Sequence, residues 1–530
     1  MNNDMKFCKK FLILVLFPLI LILISFAFGW LKLPFAIVFC IGLIFLVYFS
    51  LKNSKLDIKF DKYIFALLLI SAFWVFLSGI GGFWAQSKDY PWRNAIFRDL
   101  ILRDWPVYYP KSNGYLVYYF GYWLVPALFG KLAYKMGATE LWAFRIGNCA
   151  LYIWSVILVS ILFILLINAL KADTKKKQIL IPVLFIFFSG MDILGSIEPL
   201  GANMYHLEWW ADNWQYSSFT TCLFWVFNQS IIPWICMALL IQQKNVRNYV
   251  FIGMICLFCG PLPFVGLFIY CITYGIIYGI RSIKCKKLKS FIKDIFSPQN
   301  IIASLVVFPI IAIFLLSNDA ISGTGSLRLN DNAFVLSDSG EVISEAAEIN
   351  CTDGVESAAE MPSLFDSDIG KYFLFVLFEF GIYALLIARK YYKDPLYWVT
   401  ICSLLLFPFF KMGSQADFPM RASIPALFML FVMIVRFLFE EKDCLKQKGS
   451  TNRMLYIILI VCLVLGAVTP AVEIYRGCRQ VALKGLDNPM EDYLYTLGSD
   501  GPYNHGEIMY LGNFGTNSPE DKFFFKYLCK

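Results

Sequence analysis

Charge and histidine are what this sequence has least of. Of its 530 residues only 16% are Asp, Glu, Lys or Arg, and 2 are His. A soluble globular chain carries about 25% charged and roughly 45–50% apolar residues. Here the apolar share is 59% and the aromatic share 18%, with 51 Phe and 14 Trp. Such a composition excludes a soluble enzyme and a disordered chain. So few histidines exclude a His-built metal centre. The 15 cysteines do not form a disulfide or metal pattern either. Cys256 and Cys259, separated by Leu and Phe, lie in an apolar run, as do Cys40, Cys236, Cys271, Cys402 and Cys462. In that setting a thiol is a small hydrophobe. The net charge of +8 is no sign of nucleic acid, because the basic residues form short runs between apolar segments. That arrangement is typical of a polytopic membrane protein.

A membrane-crossing helix takes roughly 20 apolar residues. Residues 11–28, 33–51 and 63–83 meet this requirement. Lys9 and Lys10 precede the first run, and Lys52, Lys55, Lys59 and Lys62 separate the second from the third. The positive-inside rule places both basic groups on the cytoplasmic side. The first run is long and lacks a small-x-small cleavage site, so it is read as a retained span. Residues 115–136 are apolar enough to cross, but a crossing there would put Lys171, Lys175, Lys176 and Lys177 outside. The stretch also carries Gly121, Pro126 and Gly130. It is therefore read as an interfacial helix pair on the outer leaflet, with 142–170 crossing inward. Further spans follow at 179–197, 220–241, 249–280 broken at Gly260-Pro261, 301–316, 372–388, 396–410, 424–439 and 454–471. The expected fold is all-α, with about thirteen spans, the N-terminus inside and the C-terminus outside.

The expected organisation is an N-terminal membrane part (1–83), a large outward loop with juxtamembrane helices (84–141), a membrane core (142–316), an outward loop (317–370), C-terminal spans (371–471) and an outward tail domain (472–530). The loop 317–370 holds eleven Asp and Glu against one base, Arg328, as expected of a translocated segment. Asn350-Cys-Thr352 in it has the form of a glycosylation sequon.

Ionisable residues inside spans are the usual pointer to transport. The spans read as nearly free of them, with Arg145 and Asp192 near span ends, and the polar residues gather at the outer surface. Asp89 stands just past a span end, and Pro91 opens the helix that follows, as proline can in a first turn. Ile96, Phe97, Leu100 and Ile101 recur at helical spacing while Arg93, Asn94 and Asp99 take other faces. This predicts an amphipathic helix lying on the membrane. Outward cations available to a phosphate are Arg93, Arg98, Arg103, Lys411 and Arg421, the last two bounding a polar patch at 411–421. Asn228 and Gln229 interrupt an apolar run, where buried amides need partners; helix–helix hydrogen bonding and substrate contact explain them equally. The loop 198–214 sets Trp209, Trp210 and Trp214 beside Glu208, Asp212 and His206. Trp beside carboxylates can hold a sugar ring, and Trp can also anchor a chain at the membrane interface.

The stretch Gly114-Tyr-Leu-Val-Tyr-Tyr-Phe-Gly-Tyr-Trp-Leu-Val-Pro-Ala-Leu-Phe-Gly130, followed by Ala138-Thr-Glu-Leu-Trp-Ala-Phe-Arg-Ile-Gly147, resembles the C-type (GT-C) membrane glycosyltransferases. The similarity is to the group of protein O-mannosyltransferases and lipid A aminoarabinose transferases. It covers about residues 81–170; the remainder agrees in architecture only. Asp89 is followed by Tyr90 where that group commonly has Asp-Glu, and Ser112, Asn113 and Gly114 stand where His-Pro-Pro is often found.

The resemblance implies transfer of a sugar from a polyprenyl-phosphate donor to an envelope glycan or protein at the outer face of a plasma membrane. Its catalytic carboxylate would be Asp89. Arg93, Lys411 and Arg421 would contact the donor phosphate. Trp92, Asn94, Glu208, Trp209, Trp210, Asp212, Asn228 and Gln229 would contact sugar or acceptor. A polyprenyl phosphate is a good leaving group, so one base and a set of cations suffice. No cofactor is specified: a divalent metal is compatible with these residues but not demanded by them. No metal ligands and no nucleic-acid partner are expected, and the Lys-, Asn-, Ile- and Phe-rich composition suggests a bacterial source. Two rival readings stay open: a lipid or polysaccharide translocase, which requires a polar path through the spans, and an envelope-assembly scaffold, which requires no essential carboxylate.

Overall fold

The computed structural model describes residues 10–52, 64–196, 206–211, 214–322, 328–329, 368–412, 416–442, 451–486 and 511–530. Long apolar runs leave their amides one local solution in a medium without water, the α-helix. The chain follows it almost throughout. Helices α1 (Lys10–Trp30), α2 (Leu33–Lys52) and α3 (Ile64–Leu77) lead into α4 (Tyr90–Leu102) and the short strands β1 (Tyr108–Tyr109) and β2 (Gly114–Leu116). Next come α5 (Gly121–Lys135), α6 (Glu140–Ala169), α7 (Lys175–Ile186), α8 (Phe219–Ile241), α9 (Tyr249–Cys259) and α10 (Pro261–Lys284). Along Leu288–Leu316 follow α11 (Leu288–Ile295), α12 (Pro298–Ile302) and α13 (Phe308–Leu316), with the helix broken between α11 and α12 at Ser297 (ψ 151°), and β3 (Arg328–Leu329) comes next. The last third holds α14 (Asp368–Val376), α15 (Ile382–Tyr391), α16 (Pro395–Leu406), β4 (Phe410–Lys411), α17 (Asp417–Ala422), α18 (Ile424–Glu440), α19 (Thr451–Gly466), α20 (Val468–Lys484) and β5 (Gly515–Thr516).

Seven helices among the described residues are long and apolar enough to cross a membrane: Leu33–Lys52, Glu140–Ala169, Phe219–Ile241, Pro261–Lys284, Leu288–Leu316, Ile369–Tyr391 and Asn452–Lys484. Large apolar side chains on their outer faces stay uncovered by protein, for example Ile44 at 67% exposure and Leu305 at 74%. A water-soluble surface does not carry so much apolar area. The molecule is a helical membrane-embedded protein.

Contacts far apart in sequence define two ends. At one, Lys530 N–H donates to Trp30 O (3.1 Å) and β5 pairs with β2 at Tyr115↔Thr516. There also Asn318 Nδ2 donates to Val117 O (2.6 Å), and Lys522 Nζ lies 2.8 Å from Asp319. At the other, Ser50 Oγ donates to Asn248 Oδ1 (3.1 Å), Arg247 pairs with Asp294 (2.6 Å) and Asn168 Nδ2 donates to Gln242 Oε1 (2.6 Å). Helix α2 joins the two ends, and its 20 residues cover about 30 Å at 1.5 Å per residue.

Several local expectations change. Residues 115–136 contain a single helix, α5, preceded by β2, in place of a helix pair. Strand β2 forms because its edges are taken by β1 and by β5 near the C-terminus. The run 179–197 is helical only to Ile186. There Thr220 Oγ1 takes the Ile186 carbonyl (2.6 Å), and the chain continues through Ser189-Gly190 into a short 3₁₀ turn, Asp192–Leu194. Gly190 is required at that point, because a Cβ would collide with the Glu379 carboxylate. Helix α20 runs on through residue 472, where an outward tail was expected to begin. Helix α4, expected to lie on the membrane, is enclosed: Asn94 through Ile101 are all buried, on every face of the helix. Most of loop 317–370, with its sequon, lies outside the described residues.

Candidate functional site

Three glycines after α3, Gly79, Gly81 and Gly82, adopt φ of 79°, 87° and 75°. Side chains avoid that region, and a Cβ on Gly79 would also strike Ala85 O. The turn they make is closed by Gln86 Nε2 donating to Gly79 O (2.9 Å) and Tyr90 OH donating to Ser78 O (2.8 Å). Asp89 is thereby held at the N-terminus of α4, where the helix dipole favours its negative charge. Its carboxylate does not cap the helix; it accepts from Arg93 Nη2 at 2.9 Å.

A second pair of the same spacing stands on α17, with Arg421 Nη1 2.6 Å from Asp417 Oδ1. The two pairs belong to one cluster. Arg421 feels the charge of Asp417 most strongly and that of Asp89 more weakly, and Tyr119 and Tyr118 are within its electrostatic reach. Arg93 acts on the same two tyrosines. Their ring centroids lie 3.7 Å apart with the planes tilted by 31°, and Tyr118 OH donates to Tyr119 OH. Burial pushes both hydroxyls above their ordinary pKa, so they are neutral donors at physiological pH.

Helix α8 supplies the last member, Gln229, whose Nε2 donates to Tyr119 OH at 3.1 Å. It reaches the site because α8 kinks at Val226 (φ −136°, ψ 37°). The carbonyls near the kink are taken by side chains: Ser230 Oγ donates to Cys222 O (3.3 Å) and Val226 O (2.9 Å), and Ser87 Oγ to Phe224 O (3.3 Å). Nε and Nη1 of Arg93, Nε of Arg421 and Oε1 of Gln229 are buried without a partner among the described residues. A cluster with spare guanidinium donors beside a half-exposed carboxylate suits an anion with several oxygens.

Asp89, Arg93, Arg421 and Gln229 are thus brought together. The other candidates are placed elsewhere or otherwise engaged. Trp92 stacks on Phe514 (centroids 5.4 Å apart), and Asn94 is buried with Nδ2 donating to Gln86 Oε1 (2.9 Å). Asn228 is buried in α8. Lys411 lies on β4 opposite Arg328, and among the described residues the ion pairs of Asp89 and Asp417 are with Arg93 and Arg421, not with Lys411. Arg98 pairs with Glu140 (2.9 Å) and Arg103 with Asp99 (3.2 Å). Burial raises Asp99 to about 6 against the pull of Arg103 and of the hydrogen bond from Tyr109. Asp104 is exposed beside Lys135. Trp209 is exposed and Trp210 packs on Phe378. Asp212 lies outside the described residues.

Glu208 faces inward, away from any sugar at the surface. It accepts from Ser218 N–H (2.9 Å) and Gln215 Nε2 (3.1 Å) and belongs to a second cluster. Asp192, Glu208, Glu379 and Glu473 are exposed by only 0%, 1%, 3% and 4%. Asp192 Oδ2 accepts from Thr469 Oγ1 (2.7 Å) and Ser189 Oγ (3.2 Å). His206 Nδ1 lies 2.9 Å from Glu473 Oε1, and Trp225 Nε1 donates to Glu473 Oε2 (3.2 Å). Burial raises Glu208 to about 7, opposed by His206 and assisted by Asp192 and Glu473. The membrane helices are therefore less free of charge than expected: Glu379 and Glu473 sit inside two of the seven. Glu379 was visible as a lone acid in the run 372–388, whereas Glu473 fell just past the run ending at 471; nothing in the sequence showed that they meet. Among the described residues no group of His, Cys, Asp and Glu is arranged to hold a metal ion. Protein-family models, curated proteins and solved structures were each searched, and none matches this chain.

Proposed function

We propose that this chain is a GT-C-like integral membrane glycosyltransferase of about thirteen spans, moving a sugar from a polyprenyl-phosphate donor to an envelope acceptor at the outer face of a bacterial plasma membrane. The observation that carries the reading is the joining of Asp89–Arg93 and Asp417–Arg421 around Tyr118, Tyr119 and Gln229. Arg93 and Arg421 would take the charge developing on the leaving phosphate. As Arg93 turns to the phosphate it releases Asp89 to accept the acceptor's proton. The polyprenyl phosphate departs as an anion and needs no general acid.

The test is transfer from radiolabelled polyprenyl-phosphate sugars to envelope acceptors in membranes holding the full chain. Asp89→Asn keeps shape and hydrogen-bonding reach but cannot take a proton. Product should fall about 10²–10⁴-fold while expression holds, and Asp104→Asn should leave it unchanged. Near-normal transfer by Asp89→Asn overturns the reading.

A second reading, a lipid or polysaccharide translocase, is favoured by the acid cluster, which places Glu379 and Glu473 in the interior of membrane-crossing helices. Export lost in Glu379→Gln and kept in Asp89→Asn would select it.

A further inference from the structure

A cavity of about 680 Å³ opens between the 84–94 segment, the end of α3, the kink of α8 and the last turns of α20. Asp89 and Arg421 do not line it. We propose that it is a binding site for a lipid phosphate: a phosphate ester carried on a long apolar chain. The proposal does not rest on sugar transfer.

Charge is the first reason. Lys88, Arg476, Arg479 and Lys484 line the cavity against one carboxylate, Glu473. That carboxylate is already shared among His206, Trp225 and Arg476. No acid among the described residues lies within ion-pair distance of Lys88, Arg479 or Lys484. Four cations, three of them open to solvent, thus face one concave wall beside a single engaged carboxylate, a surface complementary to a phosphate monoester of about −1.5 to −2 charge.

The rest of the lining is the second reason. Leu77, Phe224, Leu483 and Leu486 supply an apolar side. A free phosphate has no use for it, whereas an acyl or prenyl chain does. Place is the third. The cavity lies where α3, an apolar helix, and Asn452–Lys484, a membrane-crossing one, end. A lipid headgroup would meet the protein at that level with its chain already in the bilayer. The indole N–H of Trp84, another lining residue, is buried without an acceptor among the described residues, against Gly477.

Phosphatidylglycerol and polyprenyl phosphate share this chemistry, and native mass spectrometry of the full chain released from detergent separates them. The four probes are phosphatidylglycerol, polyprenyl phosphate, the unphosphorylated polyprenol and inorganic phosphate. Retention of either phosphate lipid, with the polyprenol and inorganic phosphate released, is the expected result. Retention of both lipids identifies a bilayer phospholipid as the natural source, and polyprenyl phosphate alone a carrier.

Arg479→Gln combined with Lys484→Gln changes two exposed side chains and should weaken retention about tenfold, the equivalent of one charge-assisted hydrogen bond. Gly477→Leu tests the same site by volume. A Cβ there meets Trp84 Nε1 at an ordinary 3.4 Å, so the backbone tolerates it while the longer chain fills the space; retention should fall again. Wild-type retention by both variants overturns the site. Loss of retention in Arg421→Ala alone would also overturn it, by moving the lipid to the cluster assigned to transfer. Because binding is read without turnover, failure of the transfer assay leaves this result standing.

Discussion

The two charged clusters of this protein are built in opposite ways. Around Asp89 and Arg421 each acid has a base four residues on in the same helix, and the carboxylates stay partly open, at 44% and 39% exposure. Around Asp192 and Glu208 acids gather with acids, all enclosed, and the bases are the equally buried His206 and, at the edge, Arg476. The first arrangement keeps charges balanced and guanidinium donors spare, as suits recognition of an anion. The second stores like charges in an apolar interior, which is tolerated only when protons or hydrogen bonds neutralise them. The open cluster therefore suits chemistry, and the closed one stability or proton-linked movement.

Variants sharpen that contrast. The largest effect on folding is expected from Glu473→Leu, which removes the acceptor shared by His206, Trp225 and Arg476. Breaking one side of a buried pair costs about 3–5 kcal/mol, to be read as earlier thermal unfolding in detergent. Unfolding at the wild-type temperature would mean that the cluster holds nothing together. Arg421→Ala should leave unfolding nearly unchanged and lower transfer about 10²–10³-fold, with Arg421→Lys restoring part. Equal loss of stability in both variants would erase the distinction between the clusters.

A smaller effect concerns pH. Folding lifts Glu208 from 4.5 to about 7, mainly by burial, so the folded chain holds a proton that the unfolded chain has already released. Stability is then full below about pH 4.5 and declines as pH rises through about 7, with a slope of at most about 1.4 kcal/mol per unit. His206 acts in the same direction: burial works against its charge, but Glu473 and Glu208 prevail and raise its pKa. Thermal unfolding measured between pH 4.5 and 7 should show the decline, and Glu208→Gln should reduce it, the remainder belonging to His206 and Asp99. The smallest effect is that of Asp104→Asn, which removes an exposed partner of Lys135 and should change neither stability nor transfer.

The open cluster was half legible. Asp89 beyond a span end, the four-residue spacings to Arg93 and from Asp417 to Arg421, and the amides in the run of α8 are all local features. What locality did not show was that Tyr118 and Tyr119 would lie within electrostatic reach of both pairs, or that a kink at Val226 would bring Gln229 to them. The closed cluster was hardly legible, because its members come from segments around 192, 208, 379 and 473. Hydropathy averages over a lone Glu379 in a run of Phe and Leu and reads a plain span.

The sequence by itself determined that this is a helical membrane-embedded protein, where most helices run, and that Gly260-Pro261 separates α9 from α10. Those properties follow from sums over neighbouring residues: apolar content, helical spacing and the missing N–H of proline. Tertiary structure alone decided where α7 stops, which faces of α4 are covered, and that residues 511–530 return to close a sheet on β2 and meet Trp30. A carbonyl released from a helix, or an acid without water, must find a partner, and that partner need not lie nearby in the chain. Thr220 for Ile186 and Thr469 for Asp192 are such partners. Only folding brings them within hydrogen-bonding distance.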